Sequence, residues 1–217
     1  MTSLLASTID FFVKGGPFMV FLLAVSLVSC AVIILRGRAL RERIVIPPQV
    51  AVALEKMAPG DDIGLLQFAI ERHPSPVSRI LGVLIAHLNW QKAENIEAVQ
   101  TRARHEVTGM ENGLVILEIA TGISPLLGLL GTLSGLVGIF ATLGTTADPT
   151  LVARGISEAL NTTIVGLAVA VPCLVTYTYF QRRVEVMAVS MESMAADLLA
   201  KCYPHGELPQ VEKQVIK

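Results

Sequence analysis

The sequence predicts an all-α membrane protein with three transmembrane helices, of which the second and third extend into a cytoplasmic helical bundle. Hydrophobic residues make up 53% of the 217 residues and charged residues only 16%, which is far more apolar than an average soluble domain. Charged residues are absent from 17–35 and 119–147, and from 155–180 apart from Glu158. Each run reaches or exceeds the roughly 17–25 residues that cross a bilayer.

These runs and their flanks divide the chain into segments. We expect an interfacial helix on the periplasmic face at 1–14, with a frayed terminus as the alternative. The remaining segments are predicted as transmembrane helix 1 at 17–35, a cytoplasmic helical region at 36–113, transmembrane helix 2 at 114–144, a periplasmic loop at 145–154, transmembrane helix 3 at 155–181, a cytoplasmic helix at 182–202 and a disordered tail at 203–217.

Positive charges indicate which side of the membrane each segment occupies. Four arginines lie within 36–43 and two more at 182–183, whereas the loop between the second and third runs carries only Asp148 and Arg154. Lys and Arg are enriched in cytoplasmic loops. The amino terminus and the loop between the second and third runs are therefore expected to face outward, and the carboxyl terminus to lie in the cytoplasm.

The region between the first two runs has helical signals and no strand-like alternation. The acidic pair at 61–62 can cap a helix over 63–72, and apolar residues recur at helical spacing across 77–90. From 94 to 143 nothing is expected to break a single long helix, because Gly113 is only mildly unfavourable there.

The third helix is predicted to continue beyond the membrane. Apolar residues follow it at steps of 3, 4, 3 and 4, which is the spacing of a helix-packing seam. The seam residues are Val184, Met187, Met191, Met194 and Leu198.

Several classes of function are disfavoured. No Walker A loop, metalloprotease His pair, CxxC motif or nucleophile elbow occurs, so we predict no catalytic residue, no metal site and no cofactor, and we do not expect an enzyme. The net charge of −1, without a basic patch, disfavours a nucleic-acid partner. The three cysteines, Cys30, Cys173 and Cys202, are predicted to be reduced, buried thiols.

A stripe of glycines lines one side of transmembrane helix 2. Gly128, Gly131, Gly135 and Gly138 recur at steps of 3, 4 and 3, a pattern that lets neighbouring helices approach closely. The stripe predicts helix packing and a chain that oligomerises. Thr132 stands beside it, and a threonine in a membrane helix most often donates a hydrogen bond to its own backbone.

Transmembrane helix 3 carries the charge that is hardest to explain. At roughly 100° per residue, Asn161 and Thr162 share a polar face with Glu158, and Thr163 lies to one side of it. A carboxylate at the bilayer centre costs about 2.5–3.5 kcal/mol, so intramembrane acids usually mark ion pathways. An interfacial ion pair with Arg154, four residues earlier, is the alternative, and periodicity does not decide between the two.

Two long motifs carry a resemblance to a known family. Ile123–Gly135 (ISPLLGLLGTLSG) resembles the second-helix motif of the MotA/TolQ/ExbB proton-channel family. Gly155–Thr163 (GISEALNTT) resembles its third-helix motif, and 166–172 follows in matching register. The resemblance covers about 114–183 by motif, and the rest of the chain by topology.

This resemblance implies a pentamer around an inner-membrane pore that houses single-span helices of an ExbD- or TolR-like partner. It implies that the proton-motive force moves the two components relative to each other and that the motion reaches a periplasmic or outer-membrane system, such as a TonB- or TolA-like protein. The family's third-helix glutamate maps onto Glu158, and its two pore-facing threonines map onto Thr132 and Thr163. Asn161 and Thr162 are candidate members of the same path.

Some residues depart from the family pattern. Asn161 stands where an apolar or small residue is expected, and Ser134 stands where TolQ-like members often carry tryptophan. A fourth span, as in flagellar MotA, is not predicted, which disfavours a flagellar stator, and residues 15–19 lean towards ExbB. The alternative function is a non-conducting membrane scaffold in which Glu158 only pairs with Arg154.

Overall fold

The computed structural model describes residues 16–143 and 149–203, and within these ranges the chain is helical and contains no β-strand. The helices are α1 (Gly16–Ala39), α2 (Glu42–Val45), α3 (Pro48–Lys56), α4 (Gly64–Arg72), α5 (Pro76–Ala86), α6 (Lys92–Glu111), α7 (Leu114–Leu143) and α8 (Pro149–Cys202). In these ranges, three helices are long and apolar enough to cross a membrane, over Pro17–Ala39, Leu114–Ala141 and Val152–Cys202. The predicted all-α class with three candidate spans is confirmed. The expected helix at 1–14 lies outside the described residues.

The described residues form two compact units. The first, which we call the membrane unit, comprises 16–36 and 113–179 and holds most of the apolar helices. The second, the extramembrane unit, comprises 37–112 and 180–203.

The single helix expected from 94 to 143 is wrong, because the chain breaks between α6 and α7. Asn112 leaves the helical conformation with φ −51° and ψ 129°, and Gly113 adopts φ +86°, a left-handed conformation that glycine reaches at little cost. A Cβ at Gly113 would also lie 2.9 Å from Nε of Arg36. Backbone conformation and the Arg36 side chain therefore both favour glycine at this joint.

The core of the extramembrane unit is built from the two predicted apolar stripes. On α5, the fully buried side chains are Val77, Ile80, Leu81 and Leu84. On α8, the buried seam contains Val184, Met187, Met191, Ala195 and Leu198. The heptad prediction is confirmed apart from Met194, which is half-buried while its neighbour Ala195 takes the core position.

The prediction of disorder from residue 203 is wrong for Tyr203, which is only 2% exposed. Its hydroxyl donates to the carbonyl oxygen of Leu88 at 3.2 Å and accepts from Nδ2 of Asn95 at 3.0 Å. Asn95 is itself fully buried, and its Nδ2 also lies 3.1 Å from the carbonyl oxygen of Leu84. The Leu88 carbonyl and the Asn95 side chain thus anchor the ring, which the local sequence of the tail could not reveal. Residues 204–217 lie outside the described part of the chain.

A buried carboxylate links α5 to α6. Glu106 is 6% exposed and accepts from Nε and Nη2 of Arg79 at 2.8 and 2.5 Å, and from Nη2 of Arg102 at 2.6 Å. Burial acts to raise the pKa of Glu106, but the hydrogen bond and attraction from Arg79, followed by those from Arg102, outweigh it and lower that pKa. The same hydrogen bond raises the pKa of Arg79.

We predict that Glu106→Gln destabilises the extramembrane unit by about 1–3 kcal/mol at pH 7, because two arginines lose their shared acceptor. Since the folded-state pKa of Glu106 is lowered, its contribution is complete above the unfolded pKa of about 4.3 and is lost as the pH falls through the folded pKa. Thermal unfolding of the full chain in detergent, from pH 7 to pH 3, measures both effects. The variant should lose less stability than the wild type on acidification.

Glu111→Gln is the matched control, since Glu111 is exposed on the same helix α6. Equal unfolding temperatures for the two variants at pH 7 would contradict the role assigned to Glu106.

Candidate functional site

Helices α7 and α8 approach each other backbone to backbone. A Cβ on Gly128 would lie 3.0 Å from the carbonyl oxygen of Thr162 and 3.0 Å from Cα of Thr163. A Cβ on Gly166 would lie 2.5 Å from the carbonyl oxygen of Ser124. Side chains at these positions would force the helices apart, so two glycines on facing helices permit this contact.

The close contact continues towards the start of α8. Gly131 faces the side chain of Thr162, which is only 1% exposed. Gly135 faces Ala159, whose Cβ would lie 2.9 Å from a Cβ added at the glycine. We call this contact, formed by Ser124, Gly128, Gly131 and Gly135 on α7 and by Ala159, Thr162, Thr163 and Gly166 on α8, the glycine seam.

The fourth glycine of the predicted stripe is not part of the seam. Nothing in the described chain lies within 4 Å of a Cβ placed on Gly138, so its packing role stays a prediction. The seam is extended instead by Gly155, where a Cβ would lie 2.7 Å from Cδ1 of Ile139. The sequence signal that could have shown this is the spacing of four residues between Gly155 and Ala159.

Two threonine hydroxyls lie on the helices that form the seam. The Thr163 hydroxyl donates across it to the carbonyl oxygen of Gly128 at 3.1 Å. The Thr132 hydroxyl donates to the carbonyl oxygen of Leu129 in its own helix at 2.7 Å, as predicted. Both hydroxyl hydrogens are therefore engaged, and the oxygen lone pairs are what these threonines can offer to water.

The Arg154 ion pair that the sequence allowed is present. Nε of Arg154 donates to Oε1 of Glu158 at 3.2 Å, with side-chain exposures of 67% and 35%. Exposed ion pairs of this kind contribute about 0–1 kcal/mol. A weak contribution of this size leaves the presence of a carboxylate in an apolar helix largely unexplained.

Helix α8 shows three distinct faces within the membrane unit. One face includes the seam residues, of which Ala159, Thr162 and Gly166 are buried and Thr163 is half-buried. A second is exposed and apolar, with Leu160, Ile164, Leu167, Val171 and Leu174. The third, which we call the Glu158 face, is half-buried and consists of Glu158, Asn161, Val165, Val169 and Thr176. At roughly 100° per residue, the exposed apolar residues lie about 160–240° from Glu158, on the opposite side of the helix.

Thr162 was expected to share a face with Glu158, but its side chain packs into the glycine seam. It lies about 40° from Glu158, between the buried face and the Glu158 face, and close contact with Gly131 decides its environment. Its participation in a pore stays a prediction, as do the pore roles of Glu158, Asn161, Thr132 and Thr163. Among the described residues, no group of three or more His, Cys, Asp or Glu side chains could hold a metal ion.

We predict that Gly166→Ala destabilises the membrane unit by about 1–3 kcal/mol, a typical cost of overpacking, because the new methyl group would meet the Ser124 carbonyl. Intrinsic helix propensity alone predicts the opposite sign, since alanine favours a helix over glycine by about 1 kcal/mol. Thermal unfolding of the purified chain in detergent tests this prediction.

Gly122→Ala on α7 is the control, because nothing lies within 4 Å of a Cβ at Gly122. That change should be neutral or stabilising. A Gly166→Ala protein as stable as the Gly122→Ala protein would rule out the close contact at the seam.

Comparison with known proteins identifies relatives of the chain. The model of the family described as the MotA/TolQ/ExbB proton channel family matches residues 75–193. A putative biopolymer transport protein ExbB homolog of Methanothermobacter thermautotrophicus is 29% identical over 181 residues, which cover 82% of this chain and 64% of that protein. The match therefore spans less than two thirds of that relative's length.

Two further relatives carry related names. The putative biopolymer transport protein ExbB-like 1 of Synechocystis is 30% identical over 198 residues, covering 88% of this chain and 74% of the relative. The Tol-Pal system protein TolQ of Pseudomonas aeruginosa is 29% identical over 185 residues, covering 78% and 79%. The family match spans more than half of the chain and includes the glycine seam and Glu158, so this multi-pass membrane protein belongs to the MotA/TolQ/ExbB proton channel family.

Proposed function

We propose that the chain is the proton-channel subunit of an ExbB–ExbD- or TolQ–TolR-type motor in a bacterial inner membrane. The motor converts the proton-motive force into mechanical work on a periplasmic or outer-membrane system, with TonB-type transport as the first candidate. One observation carries the proposal: Glu158 is a half-buried carboxylate on the side of α8 opposite its exposed leucine, isoleucine and valine side chains.

The position of Glu158 supports an assembly with a polar interior. The exposed apolar face of α8 suits lipid, whereas a carboxylate facing lipid is costly and is usually turned towards protein or a water-filled cavity. In the single chain, 35% of the Glu158 side chain is exposed, so its own helices leave part of it uncovered. Several copies with their Glu158 faces turned inward would satisfy both faces of α8, and the family resemblance favours five.

The proposed proton path uses the ionisable groups of α8, Glu158 and Arg154. Glu158 accepts a proton from water on the outer side and releases it towards the inner side, and one proton falling through 100 mV releases about 2.3 kcal/mol. The charged form of Glu158 pairs with Arg154, and the neutral form has no charge with which to make that ion pair. The two protonation states therefore differ in charge and in local contacts, which is what a motor step requires.

The threonines have a supporting role in this proposal. Because Thr163 donates to Gly128 and Thr132 donates to Leu129, each presents only oxygen lone pairs to a water chain. Acceptors of this kind orient water without supplying protons. Asn161, half-buried on the Glu158 face, offers both an amide donor and an acceptor.

The proposal includes partners and an orientation. A single-span ExbD- or TolR-like protein supplies the second acid inside the pore, and a TonB- or TolA-like protein receives the motion. The arginines at 36–43 and 182–183 support a periplasmic amino terminus and a cytoplasmic carboxyl terminus.

We predict that Glu158→Gln abolishes energy transduction while assembly with the single-span partner persists, because the amide keeps the shape of the side chain but cannot carry a proton. The readout is energised outer-membrane uptake, or outer-membrane integrity for a Tol-type system, in cells whose own gene carries the change. Co-purification of the partner provides the control for assembly. Full activity of the Glu158→Gln protein would refute the proposal.

The Arg154 ion pair favours a second candidate, a non-conducting scaffold in which Glu158 only stabilises the fold. On that account Arg154→Ala and Glu158→Ala lower the unfolding temperature equally, and neither affects coupling beyond its effect on protein level. On the motor account, Arg154→Ala retains part of the coupling at normal protein levels, whereas Glu158→Ala retains none.

A further inference from the structure

We propose that a basic pocket in the extramembrane unit binds the headgroup of an anionic phospholipid. The pocket has a volume of about 870 Å³. It is lined by the basic side chains of Arg43, Arg72 and His73 and by apolar residues that include Ile44, Ile46 and Pro47. We call it the basic pocket.

The charge of the basic pocket favours an anionic ligand. Arg43 and Arg72 are exposed, and neither forms an ion pair with a carboxylate in the described part of the chain. Glu42 is the one acid among the described residues that line the cavity. Two guanidinium groups against one carboxylate leave a positive excess, and the planar guanidinium fork matches phosphate oxygens.

The position of the basic pocket along the chain points to lipid as the source of that phosphate. Helix α1 ends at Ala39, four residues beyond Leu35, where the uncharged run ends, or about 6 Å at 1.5 Å per residue. The segment that carries Arg43 therefore follows directly on a candidate membrane span. Basic clusters next to a span are the usual feature that attracts anionic lipids.

The apolar lining fits the same ligand. Ile44 is 52% exposed beside Arg43, an arrangement that suits the boundary between headgroups and acyl chains. A soluble phosphate would use the arginines and leave Ile44 and Ile46 without a role. The proposal rests on α1 crossing the membrane but not on proton conduction, so it can fail while the proposed function stands.

The test is native mass spectrometry of the full chain in detergent as phosphatidylglycerol or phosphatidylcholine is added. We expect phosphatidylglycerol to be retained more strongly. Its apparent affinity should fall about fivefold for each arginine removed, and so roughly twenty-five-fold in the Arg43→Gln, Arg72→Gln double variant. Arg43→Lys with Arg72→Lys keeps both charges but loses the guanidinium forks, so it should lose less affinity than the double glutamine variant. Glu42→Gln should increase the affinity.

Arg104→Gln is the matched control, because Arg104 is an exposed arginine of the same unit that lines a different groove. Equal retention of the two lipids, unchanged affinity in the double glutamine variant, or an equal loss in Arg104→Gln would overturn the proposal. Displacement of phosphatidylglycerol by an equal concentration of inorganic phosphate would overturn the choice of lipid. If the double glutamine variant fails to fold, the result for Glu42→Gln decides: unchanged or weaker binding overturns the proposal.

Discussion

The close approach of Gly128 and Gly166 is the constraint on which the membrane unit depends. With a carbonyl oxygen only 2.5 Å from the place where a Cβ of Gly166 would stand, α8 has little freedom to rotate or slide against α7. The hydrogen bond from the Thr163 hydroxyl to the Gly128 carbonyl further restricts how α8 can be oriented against α7. Packing of this kind is well suited to a membrane, where small residues and interhelical hydrogen bonds replace the hydrophobic effect as the source of helix association.

The fixed rotation of α8 gives its other residues their roles. Because Ala159, Thr162 and Gly166 pack in the seam, Glu158 lies on a half-buried face of α8. The large apolar side chains lie on the opposite face. The glycine seam therefore fixes the position of Glu158, and this contact does not depend on whether the carboxylate is charged. This separation suits a motor subunit, because a change in charge at Glu158 can alter contacts with partners while the seam holds the helix in place.

Patterns repeated along one helix could be predicted from the sequence, and contacts that depend on distant residues could not. The sequence predicts the stripes on α5 and α8 and the glycine stripe because their residues recur at a helical spacing. It also allows the ion pair between Arg154 and Glu158, because these residues are four positions apart. The break at Gly113 was missed because glycine alone costs a helix only about 1 kcal/mol, and the Arg36 side chain beside it lies 77 residues earlier. The Tyr203 anchor and the Arg79–Glu106 pair join residues 108 and 27 positions apart, which leaves no local signal.

The most direct test of the placement of Glu158 is cysteine labelling along α8 in intact membranes, in a variant whose native cysteines are replaced by alanine. A water-soluble, membrane-impermeant thiol reagent is applied to four variants, each with a single cysteine. In the first pair the cysteine replaces Asn161 or Val165, and in the second pair it replaces Ile164 or Leu167. We predict that the first pair reacts at least several-fold faster than the second, since it shares the half-buried face of Glu158 and the second faces lipid. Equal reactivity, or faster reaction at Ile164 and Leu167, would contradict a water-accessible path at Glu158.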